Sequence, residues 1–136
     1  MIRTTCILLV LAPFLAATAL ADGDSKLIGL REELNDAYRA FSRTDDHAKG
    51  AALAREAQSA VAKALDEVPG IVAKMPEGAA RDMASASYRH RLGQLYVLLC
   101  EVEQAFLKGD QAKVDELVSS LKQLRKDGHN EFMEDE

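Results

Sequence analysis

Tyr88, Leu92, Leu95, Leu99, Val102 and Phe106 follow one another at alternating spacings of four and three. A helix gathers such residues onto one seam, whereas a strand would divide them between two faces. The alternation is that of left-handed bundle packing, so this segment needs other helices with matching seams. The rest of the chain supplies them. A first helix is expected from about Ser25 to Arg43, with Asp24 as N-cap and Leu27, Leu30, Leu34, Tyr38 and Phe41 as its stripe. Thr44-Asp45-Asp46 breaks it and caps a second helix carrying Ala54, Ala57, Val61, Ala64, Leu65 and Val68, whose small residues permit close packing. Lys108-Gly109-Asp110 stops the Tyr88–Phe106 helix and restarts the chain, Gly109 as C′ and Asp110 as the next N-cap. A last helix then carries Val114, Leu117, Leu121, Leu124, Gly128 and Phe132. Pro69 and Pro76, each close to a glycine, mark a longer loop at mid-chain. No sustained period-two alternation is present, which predicts an all-α fold: an antiparallel up-down-up-down four-helix bundle.

The first 21 residues stand apart from this pattern. Arg3 precedes an apolar run from Cys6 to Ala17, and Ala19-Leu20-Ala21 is a small-x-small cleavage signature. Residues 1–21 therefore read as a secretory signal peptide cut before Asp22, leaving residues 22–136 as one bundle domain. The apolar run is too short for a membrane span, and the expected location is the periplasm. Of the two cysteines, Cys6 is lost on cleavage, so Cys100 has no intramolecular disulfide partner. The net charge of −5 becomes more negative without Arg3, which argues against nucleic acid and anionic membrane surfaces as partners.

Little catalytic chemistry is legible. No paired Cys/His spacing suggests structural zinc, and no glutamate lies three residues before a histidine as di-iron bundles require. No Ser-His-Asp order, nucleophile elbow or Gly-rich phosphate loop appears, so an enzyme is not expected. His47 falls in the turn opening the second helix, and His90 opposite the apolar seam; both should face water. His129 differs, lying on the flank of the last stripe beside Gly128 and one turn from Arg125 and Phe132. Interior glycine costs a helix about 1 kcal/mol relative to alanine, so Gly128 invites a reason, such as close approach of something flat. In an antiparallel bundle Arg31 and His129 would both lie roughly 9 Å from the same end.

Tyr88-Arg89-His90-Arg91-Leu92, Lys108-Gly109-Asp110-Gln111-Ala112-Lys113-Val114, and the run from Leu121-Lys122 through Arg125 to His129 and Phe132 resemble the second half of the soluble cytochrome b562 family. Leu34-Asn35-Asp36 is similar to that family's opening helix. The resemblance spans the chain after residue 21, and the Arg-x-x-x-His pairing is its most specific part. It implies haem b held noncovalently at the open end of the bundle, between a histidine late in the fourth helix and a methionine early in the first. Met/His ligation raises the haem potential and suits one-electron transfer, here with a transient redox protein partner. The histidine carries over to His129, as axial and metal ligand. Arg125 carries over as a haem-edge or propionate partner, and Tyr88 and Leu92 as pocket lining. The methionine does not carry over: Arg31 stands at its position, and Met75, Met83 and Met133 all lie outside the first helix. A protonated guanidinium offers iron no lone pair. Haem bound by His129 alone, haem with another ligand swung in, and a haem-free bundle that binds a partner or a metal all stay open.

Overall fold

The computed structural model describes residues 16–132, with side chains from residue 23 onward. The expected signal peptide thus falls largely outside the described residues, as does Met133. The described chain is a helical bundle without strands: α1 (Ala16–Phe41), α2 (His47–Ala64), α3 (Gly70–Ala73), α4 (Ala79–Leu107) and α5 (Gln111–Phe132). None of these helices is long and apolar enough to cross a membrane.

Two boundaries differ from the sequence expectation. Helix α1 runs through Asp24, which is therefore no N-cap. The alanines from Ala16 to Ala21 are the best helix formers available and carry the helix past a residue that would otherwise cap it. The Asp24 carboxylate instead lies so close to Gly70 that a Cβ there would collide with it, fixing α1 against the central connection. Helix α2 stops at Ala64, with Leu65 as its C-cap, and Val68 is left exposed. Pro69 disfavours helical geometry in the residue before it. The proline-rich connection also holds one helical turn, α3, whose Val72 is fully buried.

The remaining caps follow the sequence. Asp46 accepts from the Lys49 N–H at 3.0 Å and caps α2. Between α4 and α5, Gly109 has φ +69°. Its N–H donates to the Phe106 carbonyl at 2.9 Å and the Asp110 N–H to that of Ala105 at 3.0 Å, which is a Schellman ending. The Asp110 carboxylate then accepts from the Lys113 N–H at 3.0 Å, so one residue closes α4 and opens α5.

Side chains locate the neighbours. Lys63 of α2 meets Glu33 of α1, tying the two helices, and Lys26 of α1 meets Glu67 just past the end of α2. Helix α2 meets α4 through Gln58, which is nearly buried and was not anticipated. Its amide donates to the Leu99 carbonyl at 3.2 Å and to Glu103 at 2.7 Å. Arg55 also donates to Glu103, at 2.7 and 3.0 Å. The hydrogen bonds from Gln58 and then Arg55 hold the Glu103 carboxyl below its usual range. Arg91 pairs with Glu131 at 3.0 Å, joining α4 to α5.

Packing is uneven along the bundle. Phe41, Ala51, Ala54, Ala57, Val61, Leu99, Val102, Phe106, Val114, Leu117 and Leu121 form a closed core that begins at the α1–α2 and α4–α5 turns, and α2 stays buried as far as Ala64. No residue of α4 before Leu99, and none of α5 from Lys122 to Phe132, is buried. The same seams continue there as Tyr88, Leu92, Leu95, Leu124 and Phe132, all only half-buried.

Candidate functional site

The half-buried end is where the sequence places its candidate residues. Helix α5 reaches α1 through Arg125, whose Nη1 donates to the Asn35 side-chain oxygen at 2.8 Å. Its guanidinium also sits 4.9 Å from the centroid of the Tyr38 ring, a cation–π contact. Tyr38 packs edge-on against Phe41 at 5.5 Å, so this arginine is anchored to the margin of the closed core. Neither of its partners carries a negative charge.

The Arg125–Asn35 contact joins α5 to α1. One turn beyond Arg125 along α5 is His129, and one turn before Asn35 along α1 is Arg31. At 1.5 Å per residue each lies roughly 6 Å from the anchored pair. His129 is exposed and Arg31 half-buried. Among the described residues Arg31 makes no ion pair or hydrogen bond, although its charge is felt at Tyr88.

Tyr88 and Phe132 meet edge to face at 5.5 Å and 77°, closing α4 onto the end of α5. The Tyr88 hydroxyl donates to the Ala64 carbonyl at 3.3 Å. Burial, then the nearby Glu67 carboxylate, push the Tyr88 phenol up to about 12, against the opposing pull of Arg31. An unfolded chain releases that proton near 10.0, so the stability that Tyr88 provides is complete below pH 10 and drains away as pH rises towards 12. Urea denaturation across that window should show a steeper loss of stability for the native chain than for Tyr88→Phe. Equal slopes would mean that the phenol is not protected by the fold.

Leu92 packs against the closed core from its open side and stays half-buried. Gly128 is half-buried as well, but a Cβ built on it meets nothing within 4 Å. The bundle's own packing therefore gives no reason for glycine here. Met75 lies beyond α3 and Met83 is largely exposed on α4, so neither stands in α1. No group of three or more His, Cys, Asp or Glu suited to a metal ion occurs among the described residues.

The arrangement fits a flat apolar ligand in part. An exposed imidazole, open space at Gly128, half-covered Leu92, Tyr88 and Phe132, and two cationic side chains without acidic partners share one end. A second axial ligand from α1 does not fit, because α1 holds no methionine, histidine or cysteine from Gly23 to Phe41 and Arg31 offers iron no lone pair. The Asn35–Arg125 bridge, absent from the sequence reading, could have been suspected from the polar Asn35 within α1's apolar flank. No known protein-family model matches the chain, and no curated protein matches it.

Proposed function

We propose that this chain is an exported, up-down-up-down helical bundle of the cytochrome b562 type that binds haem b noncovalently through His129 in the periplasm. The observation that carries the reading is the Arg125–Asn35 contact, which ties the end of α5 to α1. With the two helices antiparallel it would bring the exposed His129 level with Arg31, at an end where Tyr88, Leu92, Leu124 and Phe132 are only half-buried. Lys26–Glu67, which joins the first half of α1 to the chain just past α2, and Arg91–Glu131, which joins the first half of α4 to the end of α5, support the alternating topology.

When bound, haem b supplies a one-electron iron couple. In this reading His129 would hold the iron through a ring-nitrogen lone pair. Arg125, pre-positioned by Asn35 and Tyr38, and Arg31 would supply positive charge for the propionates. Leu92, Tyr88 and Phe132 would keep water from the ring face. A transient redox protein is the partner such a carrier needs. With Arg31 in place of a thioether, His129 is the single protein ligand, which favours small-ligand binding over fast electron transfer.

Arg31 itself favours a second reading, a haem-free bundle that binds a partner or a metal. Titration of the purified protein with haemin separates the two. A Soret band that appears with the native chain and is lost in His129→Ala is expected. Arg31→Met should then move the spectrum towards a six-coordinate, low-spin form. Absence of a Soret shift with excess haemin sinks the haem reading and leaves the second.

A further inference from the structure

Arg31 and His129 are bracketed by the same contacts. On α1, Arg31, Asn35 and Tyr38 follow one another at spacings of four and three, so they share one flank of the helix. Asn35 and Tyr38 both meet Arg125, so this is the flank that α5 approaches. On α5, Arg125, His129 and Phe132 repeat the same spacings. Phe132 packs on Tyr88 of α4, and Tyr88 in turn feels the Arg31 charge. Arg31 on one helix and His129 on the other thus border one space, between the Arg125 anchor and the Tyr88–Phe132 ring pair.

The other polar groups around that space are engaged within the chain. The Tyr88 hydroxyl donates to the Ala64 carbonyl, Glu67 meets Lys26, Glu131 meets Arg91, and Asn35 accepts from Arg125. Arg31 differs: it is half-buried, yet it makes no hydrogen bond or ion pair among the described residues. A guanidinium carries five N–H donors and no acceptor, so its natural partner is an anion. We propose that Arg31 makes the iron position opposite His129 selective for small inorganic anions, an inference that rests on the haem reading. With His129 as the single protein ligand, that position is left to a small molecule. An anion there would accept from the Arg31 guanidinium and have its charge offset, whereas a neutral ligand would gain nothing from it. The charge that Arg31 lends the propionates acts at range and leaves its donors free for this contact.

Sodium fluoride titrated into the ferric, haemin-saturated protein at fixed pH and ionic strength, followed by absorption, tests the proposal. The native chain is expected to bind fluoride roughly tenfold more tightly than Arg31→Leu, the effect of one hydrogen bond from a charged donor. Imidazole, a neutral ligand, should bind the two alike. Arg31→Lys keeps the charge and should fall between them for fluoride. Neither substitution breaks a hydrogen bond or ion pair described within the chain, so both variants should keep the native circular-dichroism signal. Equal fluoride affinities, no fluoride response in the native chain, or an equal loss of imidazole binding in Arg31→Leu each overturn the proposal and leave the haem reading standing. A native chain that gives no Soret band with haemin overturns both.

Discussion

Gly50→Ala is expected to destabilise the fold by about 2–3 kcal/mol, although alanine is the better helix former. In an exposed helix interior the same change would stabilise by about 1 kcal/mol. Gly50 sits in the first turns of α2, fully covered, with the Phe106 ring directly over its Cα. An added Cβ would fall inside the van der Waals envelope of three ring carbons. The ring cannot swing clear, because Phe106 has no exposed surface and packs edge-on against Phe41 at 6.5 Å. Relief requires α2 and α4 to part, and overpacking of this kind costs about 1–3 kcal/mol or more. Urea denaturation followed by circular dichroism gives the answer directly. A midpoint that stays or rises in Gly50→Ala would show that the ring yields and that propensity wins.

The second large effect comes from the other partner. Phe106→Ala should cost about 3–5 kcal/mol, since it empties a ring-sized volume in the densest part of the core. The two positions should also be strongly coupled. Once the ring is gone, the methyl group at position 50 has room, so Gly50→Ala in that background should be neutral or stabilising. The expected coupling is of the order of 3 kcal/mol, at the upper end for residues in contact. Phe106→Leu provides the same comparison should the alanine variant fall too close to unfolding. Additive losses would mean that the glycine is needed for some reason other than the ring.

Neither effect could be read from the sequence. The alanine stripe of α2 is visible as spacing, but Gly50 and Phe106 are 56 positions apart, and nothing local announces that they touch. What was legible is what local rules fix: seams at helical spacing, the Asp46 cap, and the Lys108-Gly109-Asp110 ending. The start of α1 was misplaced because Asp24 has the residue type of a cap, while the alanines before it keep the helix going. The Arg55–Glu103–Gln58 contact was missed for the same reason as Gly50, since its partners are brought together only by tertiary packing. At the candidate site the one-turn spacing of Arg125 and His129 was legible from counting residues. The exposure of the imidazole, the Asn35 and Tyr38 anchors of Arg125 and the empty space at Gly128 were not, because each depends on how far α5 leans on α1.

The uneven burial along the helices makes the bundle resemble a tuning fork. Its handle is the end where Phe41, Phe106 and Val114 are sealed, and backbone amides there are expected to exchange only when the whole molecule opens. Its tines are the first half of α4 and the last turns of α5, tied by contacts such as Tyr88–Phe132 and Arg91–Glu131. None of those four residues belongs to the sealed cluster. Work done at the tines, by a guest molecule or by heat, is thereby separated from the free energy that keeps the chain folded.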